Sequence, residues 1–424
     1  MRKINVLKPN YYDKFRCVAD KCRNTCCQNW AINITKEEFK QMKRVIKSEE
    51  MKKKFSDAFY VKEGSFKTNQ TYLIKLDKNN RCKFLDENNL CQVYQDCGFE
   101  NMCRICRVFP RLSNEYMDFQ IRYLSLGCEE VIRLLLEEKD GILFEAPTIG
   151  DYDDNAMLIS NGLGLAKRPL LKYYSEIFMT VLAILQFRDF SIYERIVLLG
   201  IALEKIKNME QENKVHEVPQ YCNTFLQNLE QPQIQQMYRD FFEKTKQNDK
   251  IGLVNATAHY LNLKTENLVT SRFLEIIKEQ LNIHIFLKNN WQTDNQQLKM
   301  KVFREYDFDL EKYLQQKKIF ETFVKGKEHL LENIAVNMAI KFCLPCYKLE
   351  DIWRLYTEFV IVFNILKVVM IGYSTENFTD QDWIDCIVDT SRNTLHNPKY
   401  MNWLEETLKE NQSNSLAHLA MLVL

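Results

Sequence analysis

Pro169-Leu-Leu-Lys-Tyr-Tyr-Ser-Glu-Ile-Phe-Met-Thr-Val-Leu-Ala-Ile-Leu185 places Leu170, Leu171, Tyr174, Ile177, Phe178, Val181, Leu182 and Leu185 at three- and four-residue steps. That spacing gathers side chains on one face of a helix. Ser191 and Glu194 follow with the pattern of a capping box, opening a second helix through Ile196, Leu199, Ile201 and Leu203. Two helices joined at Phe187 to Phe190 make an antiparallel hairpin. Further periodic segments lie around Gln233 to Lys246, Thr270 to Asn282, Gln297 to Gln316, Lys327 to Phe342, Lys348 to Ile371 and Asp380 to Asn393, with no repeat of fixed period. The chain holds 11 glycines and 8 prolines in 424 residues, well below average usage of about 7% and 5%. The reading is a mainly α protein whose residues 169–424 form an irregular all-α domain.

Working outward, turn signals collect just upstream, in Ala146-Pro-Thr148, Gly150, Asp151-Tyr-Asp-Asp154, Gly162 and Gly164. They mark 141–168 as a linker loop. Residues 1–140 then form a cysteine-rich, cluster- or metal-binding domain, with a polar, Lys-rich helix near Lys36 to Phe59. Lys+Arg number 58 and Asp+Glu 57, a balance that argues against a nucleic-acid partner. Met1 to Phe15 contains no apolar signal-peptide run, which predicts a cytoplasmic protein. The most apolar run, Phe359 to Tyr373, contains Asn364 and Lys367 and falls short of the roughly 20 residues that span a bilayer. It predicts a buried core helix and no membrane partner.

Ten of the 14 cysteines lie in the first 128 residues. They run C-x4-C-x3-C-C (Cys17, Cys22, Cys26, Cys27), C-x8-C (Cys82, Cys91), Cys97, C-x2-C (Cys103, Cys106) and Cys128. In a reducing cell such a set reads as thiolate ligands rather than disulfides. All six histidines lie outside this segment, so a local site is thiolate-only, suiting all-cysteine zinc or an iron–sulfur cluster. Spacing leaves both open. Side chains of adjacent Cys26 and Cys27 diverge, so one ligates while the other packs or serves a second centre. A C-x3-C-x2-C radical signature starts at Cys22 and Cys26 but meets Asn29. Cys97 reads as a non-ligand, and Cys222, Cys343, Cys346 and Cys386 as buried packing residues. Arg104, Arg107 and Arg111 share a face if their segment is helical. They either stabilise an anionic cluster, grip a cofactor carboxylate, or form a solvated basic face. Trp30 either caps the site or packs.

Four blocks carry a resemblance: Cys22-Arg-Asn-Thr-Cys26-Cys27-Gln-Asn-Trp30; Cys82-Lys-Phe-Leu with Leu90-Cys91-Gln-Val-Tyr94; Met102-Cys103-Arg-Ile-Cys106-Arg-Val-Phe-Pro110-Arg111; and Leu124-Ser-Leu-Gly-Cys128-Glu-Glu. In this order they resemble the flagellin lysine-N-methylase (FliB) family and, for the first three, a wider zinc- or iron-chelating module. Weaker echoes run through Glu194 to Gly200, Glu332 to Pro345 and Phe359 to Gly372. The resemblance implies transfer of methyl groups from S-adenosylmethionine to lysine ε-amines of flagellin, with a cysteine-ligated 4Fe-4S cluster. It carries over Cys22, Cys26, Cys27, Cys82, Cys91, Cys103, Cys106 and Cys128 as candidate ligands, four more than one cubane needs. Arg104, Arg107 and Arg111 are the candidate contacts to S-adenosylmethionine, and catalytic residues are unassigned. No Gly-rich turn after an apolar strand marks a Rossmann cofactor site. The alternative is a zinc-stabilised scaffold without methyl transfer.

Overall fold

A computed structural model describes residues 2–28, 32–61, 71–116, 119–145, 147–153, 157–160, 169–246, 284–294, 297–307, 309–342, 351–397, 400–402 and 415–424. After β1 (Lys3–Leu7) and β2 (Asn33–Thr35), the Lys-rich stretch forms two helices rather than one, α1 (Lys36–Val45) and α2 (Glu49–Asp57). Each has its own start. The Thr35 hydroxyl accepts the Glu38 amide at 3.2 Å while Glu38 accepts the Thr35 amide at 2.8 Å, and Ser48 caps α2 by accepting the Met51 amide. β3 (Phe59–Val61) and β4 (Thr71–Ile74) complete a small antiparallel sheet of order β2-β4-β3.

Two short helices, α3 (Gln92–Cys97) and α4 (Arg104–Val108), lead to a hairpin of β5 (Arg111–Tyr116) and β6 (Phe119–Leu124). α5 (Glu129–Glu137), β7 (Thr148–Asp151) and β8 (Met157–Ser160) follow. β1 runs parallel to β6 and antiparallel to β7, and β8 runs parallel to β5, so the larger sheet has the order β7-β1-β6-β5-β8.

The helical part opens with the expected hairpin of α6 (Tyr174–Leu185) and α7 (Ile192–Gln211), and both halves of the Ser191/Glu194 capping box are made. α8 (Val218–Leu229) and α9 (Pro232–Thr245) follow. The next element corrects the helical reading of Gln297 to Gln316. β9 (His284–Asp294) and β10 (Gln297–Asp307) form an antiparallel hairpin, and helix begins only at α10 (Leu310–Val324), capped by Asp309. Leu298, Met300 and Val302 alternate with Lys299 and Lys301, a period of two that outweighs the weaker helical spacing. Thr270 to Asn282 lies outside the described residues. α11 (Glu328–Lys341), α12 (Ile352–Tyr373), α13 (Asp380–Asn393) and α14 (Leu416–Val423) complete the chain. α12 is the buried core helix that its sequence predicts, with its most apolar window 94% covered.

Among the described residues, side chains form two apolar cores. The large one takes Tyr11, Phe15, Ile121, Leu124, Val131, Ile132 and Leu135 from the first 140 residues, together with the inner faces of α6, α7 and α11 to α14. α11 stitches these parts together through polar groups. Asn333 Nδ2 donates to the Leu135 and Glu138 carbonyls, Asn337 Nδ2 to the Tyr11 hydroxyl and the Leu124 carbonyl, and Asn114 Nδ2 to the Ile340 carbonyl. The small core gathers Ile32, Ile34, Met42, Phe55, Ile74 and Phe84 beside several of the cysteines.

Candidate metal centre

Five of the eight candidate cysteines converge on the small core, with Cys97 beside them. Cys82 and Cys103 are buried within it, and Cys27, Cys91 and Cys106 pack against it. The backbone places them. The Cys82 amide donates to the Cys27 carbonyl at 2.8 Å, Cys82 bridges to Leu76, and Cys91 bridges to Leu85. Cys91 and Cys103 occupy the N-cap positions of α3 and α4, and Glu38 of α1 accepts the Arg104 amide at 2.8 Å, tying α4 to the small sheet. Sγ atoms of Cys103 and Cys106 lie 3.2 Å apart. Burial pushes the thiols of Cys82 and Cys91 up, to about 12 and about 11, although first-turn amides draw Cys91 back. The shared proton lowers Cys103 and, with burial, raises Cys106; the same division lowers Cys27 to about 7 and raises Cys26.

The remaining candidates sit where α5 begins. Cys128 holds its N-cap position and packs against the large core. Cys22 Sγ stands 3.7 Å from Glu129 Oε2, which also accepts the Asn24 amide at 2.8 Å. Glu129 is fully buried, and burial alone would push it up. The Asn24 amide and Arg133 outweigh that cost and hold it below the usual carboxylate range. Arg392, from α13, enters the same loop. It donates to the Asn24 carbonyl at 2.6 Å, the Thr25 carbonyl at 3.2 Å and the Gly127 carbonyl at 2.9 Å. Its charge counters the burial and neighbouring groups that raise Cys22, Cys26 and Cys128.

Arg392 was not legible among the cysteine blocks because it lies in the distant helical sequence. Glu129 had a signal: it directly follows Cys128. The three expected arginines sit elsewhere. Arg104 and Arg107 lie on α4, but Arg111 begins β5 beyond the cis Phe109–Pro110 bond, so the three do not share one helix face. Arg104 stands 3.9 Å from Asp153, Arg107 3.6 Å from Glu100, and Arg111 lies over the Phe15 ring at 5.0 Å. Cys222 and Cys386 are buried in the large core, as read, while Cys97 borders the small one. Trp30, Cys343 and Cys346 lie outside the described residues.

None of the twelve described cysteines is in a disulfide. Among the described residues, no three Cys, His, Asp or Glu side chains already surround one point at ligating distance. The donor set nonetheless fits a thiophilic metal. Tetrahedral thiolates about 2.3 Å from zinc stand about 3.8 Å apart, so the 3.2 Å Cys103–Cys106 pair needs only a small side-chain rotation. Metal binding would replace the protons that burial now retains.

Comparison with known proteins places both parts of this arrangement. A family model described as the FliB lysine N-methylase C-terminal domain matches residues 179–422, more than half the chain. The chain belongs to the FliB lysine N-methylase family. A second model, for the CxxCxxCC domain described as a candidate zinc- or iron-chelating domain, matches residues 16–128. The small core falls within the second match and Arg392 within the first, while the large core draws on both and on residues between them. Lysine-N-methylases of Salmonella typhimurium and Salmonella choleraesuis are each 28% identical over 163 residues, covering 35% of this chain and 37% of theirs. The flagellar biosynthetic protein FliU of Salmonella muenchen is 28% identical over 156 residues, 34% of this chain and 83% of that protein. The chain thus spans little more than a third of the length of the lysine-N-methylases it matches. No solved structure matches it.

Proposed function

We propose that this protein transfers methyl groups from S-adenosylmethionine to lysine ε-amines of flagellin in the cytoplasm, and that it depends on a 4Fe-4S cluster held by thiolates from the eight-cysteine set. The observation that carries the reading is Arg392. It lies in the region matched to the methylase family yet grips the backbone on either side of the metal-chelating region's thiols. A cluster bound there is mechanically part of the helical domain rather than a remote staple.

S-adenosylmethionine, when bound, supplies the methyl group. The chain must provide a neutral lysine nitrogen, because an ammonium with a pKa near 10.4 is no nucleophile. Guanidinium groups of Arg104 and Arg107, partly exposed and held among the described residues by long ion pairs, are suited to bind a cofactor carboxylate. Arg111 is held over the Phe15 ring. The apolar lining around Cys82 and Cys103 keeps water from thiolates on that side.

Cluster-replete protein, prepared anaerobically, is incubated with flagellin and S-adenosylmethionine. Mass increases in whole methyl increments are expected, together with broad visible absorption and near-equal iron and sulfide. Unmodified flagellin would overturn the methylation reading. Colourless protein with stoichiometric zinc would overturn the cluster and favour a zinc scaffold. Arg104→Gln should raise KM for S-adenosylmethionine more than it lowers kcat.

A further inference from the structure

The eight candidate cysteines divide between two surroundings. Cys27, Cys82, Cys91, Cys103 and Cys106 belong to the small apolar core. Cys128 packs on the large core, and Cys22 lies against Glu129 at the start of α5. Electrostatic neighbours follow this partition for three of the thiols, since Cys82 and Cys91 feel Cys27 and Cys103 while Cys22 feels Cys128; Cys26, hydrogen-bonded to Cys27 and felt by Cys106 as well as facing Cys128, stands at the border. The border runs between adjacent residues. The Cys27 carbonyl is tied to the Cys82 amide on the small-core side, while the Asn24 and Thr25 carbonyls are held by Arg392 on the other.

We propose that the cysteines build two separate metal centres. The inner centre takes four thiolates from Cys27, Cys82, Cys91, Cys103 and Cys106 and holds one zinc ion; it has donors enough to close a tetrahedron within an apolar shell. The outer centre takes Cys22, Cys26 and Cys128 and holds the iron–sulfur cluster. Three thiolates leave one iron of a cubane to a ligand from outside the chain, and Arg392 supplies positive charge beside this anionic group. The outer assignment rests on the iron–sulfur reading above; the division into two sets does not.

The wild-type protein carries the decisive test. Metal analysis of anaerobic material should find about four iron and about one zinc per chain. Treatment with dithionite and an iron(II) chelator, followed by iodoacetamide and peptide mass spectrometry, should label Cys22, Cys26 and Cys128 while zinc and the five inner thiols stay protected. Labelling of inner and outer cysteines together, or wild-type protein without a second metal, would overturn the proposal. Cys128→Ala should lower iron and spare zinc, and Cys82→Ala should do the reverse. If Cys82→Ala fails to fold, the wild-type labelling pattern decides. Methyl transfer is assayed on the same preparation: an active protein with one shared centre sinks the division but not the function, and two centres without methylation do the opposite.

Discussion

The small core and the large core hold their parts of the chain together by different means. The small one buries twelve residues, two of them cysteines, and draws its cohesion from aromatic contacts such as the stacked Phe39–Tyr72 pair at 4.1 Å and the Phe55, Phe59 and Phe84 cluster. The large one extends from Tyr11 to Val423 and is cross-linked by buried Asn and Arg–Glu groups. A core of a dozen side chains rarely supplies enough stability without a staple. A helical core of this size does not need one. Removing metal should therefore separate the two: hydrogen exchange over residues 32–108 should lose protection, while α6, α7, α11 and α12 keep theirs. Simultaneous loss in both regions would show that the two cores unfold as one unit and would break the contrast.

The large core has its own weak point. Glu332, 2% exposed, accepts from Arg195 at 2.6 Å and from Arg188 at 2.9 Å, and Arg195 is itself buried. Glu332→Ala leaves the Arg195 charge uncompensated in an apolar setting, and the expected loss is about 3–5 kcal/mol in chemical denaturation. The same substitution should leave metal content untouched. A loss below about 1 kcal/mol would mean that water or a neighbouring carboxylate takes over the pair.

These contrasts were unevenly legible in the sequence. Apolar steps of three and four from Leu170 to Leu185 suffice to predict α6, and Ser191 with Glu194 suffices to start α7, because both are local patterns. β10 was misread because Leu298 to Tyr306 carries apolar residues compatible with either period, and only the pairing with β9 selects the strand. The five-stranded sheet was out of reach for a related reason: β1 pairs with β6 and β7 across more than a hundred residues. At the site, cysteine spacing singled out candidate ligands, but the expected divergence of Cys26 and Cys27 is not what the structure shows, since their thiols share a hydrogen bond. That spacing carried no trace of Arg392, since a contact between an arginine near the C-terminus and the Asn24 carbonyl leaves no periodicity in the chain.

A close approach inside the large core gives a smaller, purely steric test. Gly200 on α7 faces α12, and an added Cβ would meet the Tyr356 hydroxyl, with Tyr356 Cζ at 2.6 Å and Leu416 Cδ1 at 2.8 Å. Tyr356 is fixed there because its hydroxyl donates to the Ile196 carbonyl at 2.9 Å. Gly200→Ala should cost about 1–3 kcal/mol through forced repacking, seen as a lower unfolding midpoint. Metal-dependent protection of the small core should not change. Unaltered stability would show that α7 and α12 slide apart freely.

His396 sharpens the comparison where the two regions meet. Its Nε2 bonds the Ser125 hydroxyl at 2.6 Å, its ring stands edge-on to Phe109 at 6.4 Å, and burial, then Lys341 and Arg392, hold its pKa down at about 3. The folded state prefers the neutral ring, whereas an unfolded histidine titrates near 6.5. Stability from this preference is therefore full above about pH 6.5 and is lost as pH falls toward 3, because the unfolded chain gains the proton first. The expected loss is about 1–2 kcal/mol by pH 5. Carboxylates also titrate in this range, so the informative quantity is the difference between wild type and His396→Gln in denaturation midpoints from pH 7 to pH 4.5. The variant should start lower and fall less steeply. Parallel curves would mean that the junction opens to solvent before the ring is charged, leaving Arg392 and the Asn24–Asp385 hydrogen bond to hold the cysteine loop to the helices.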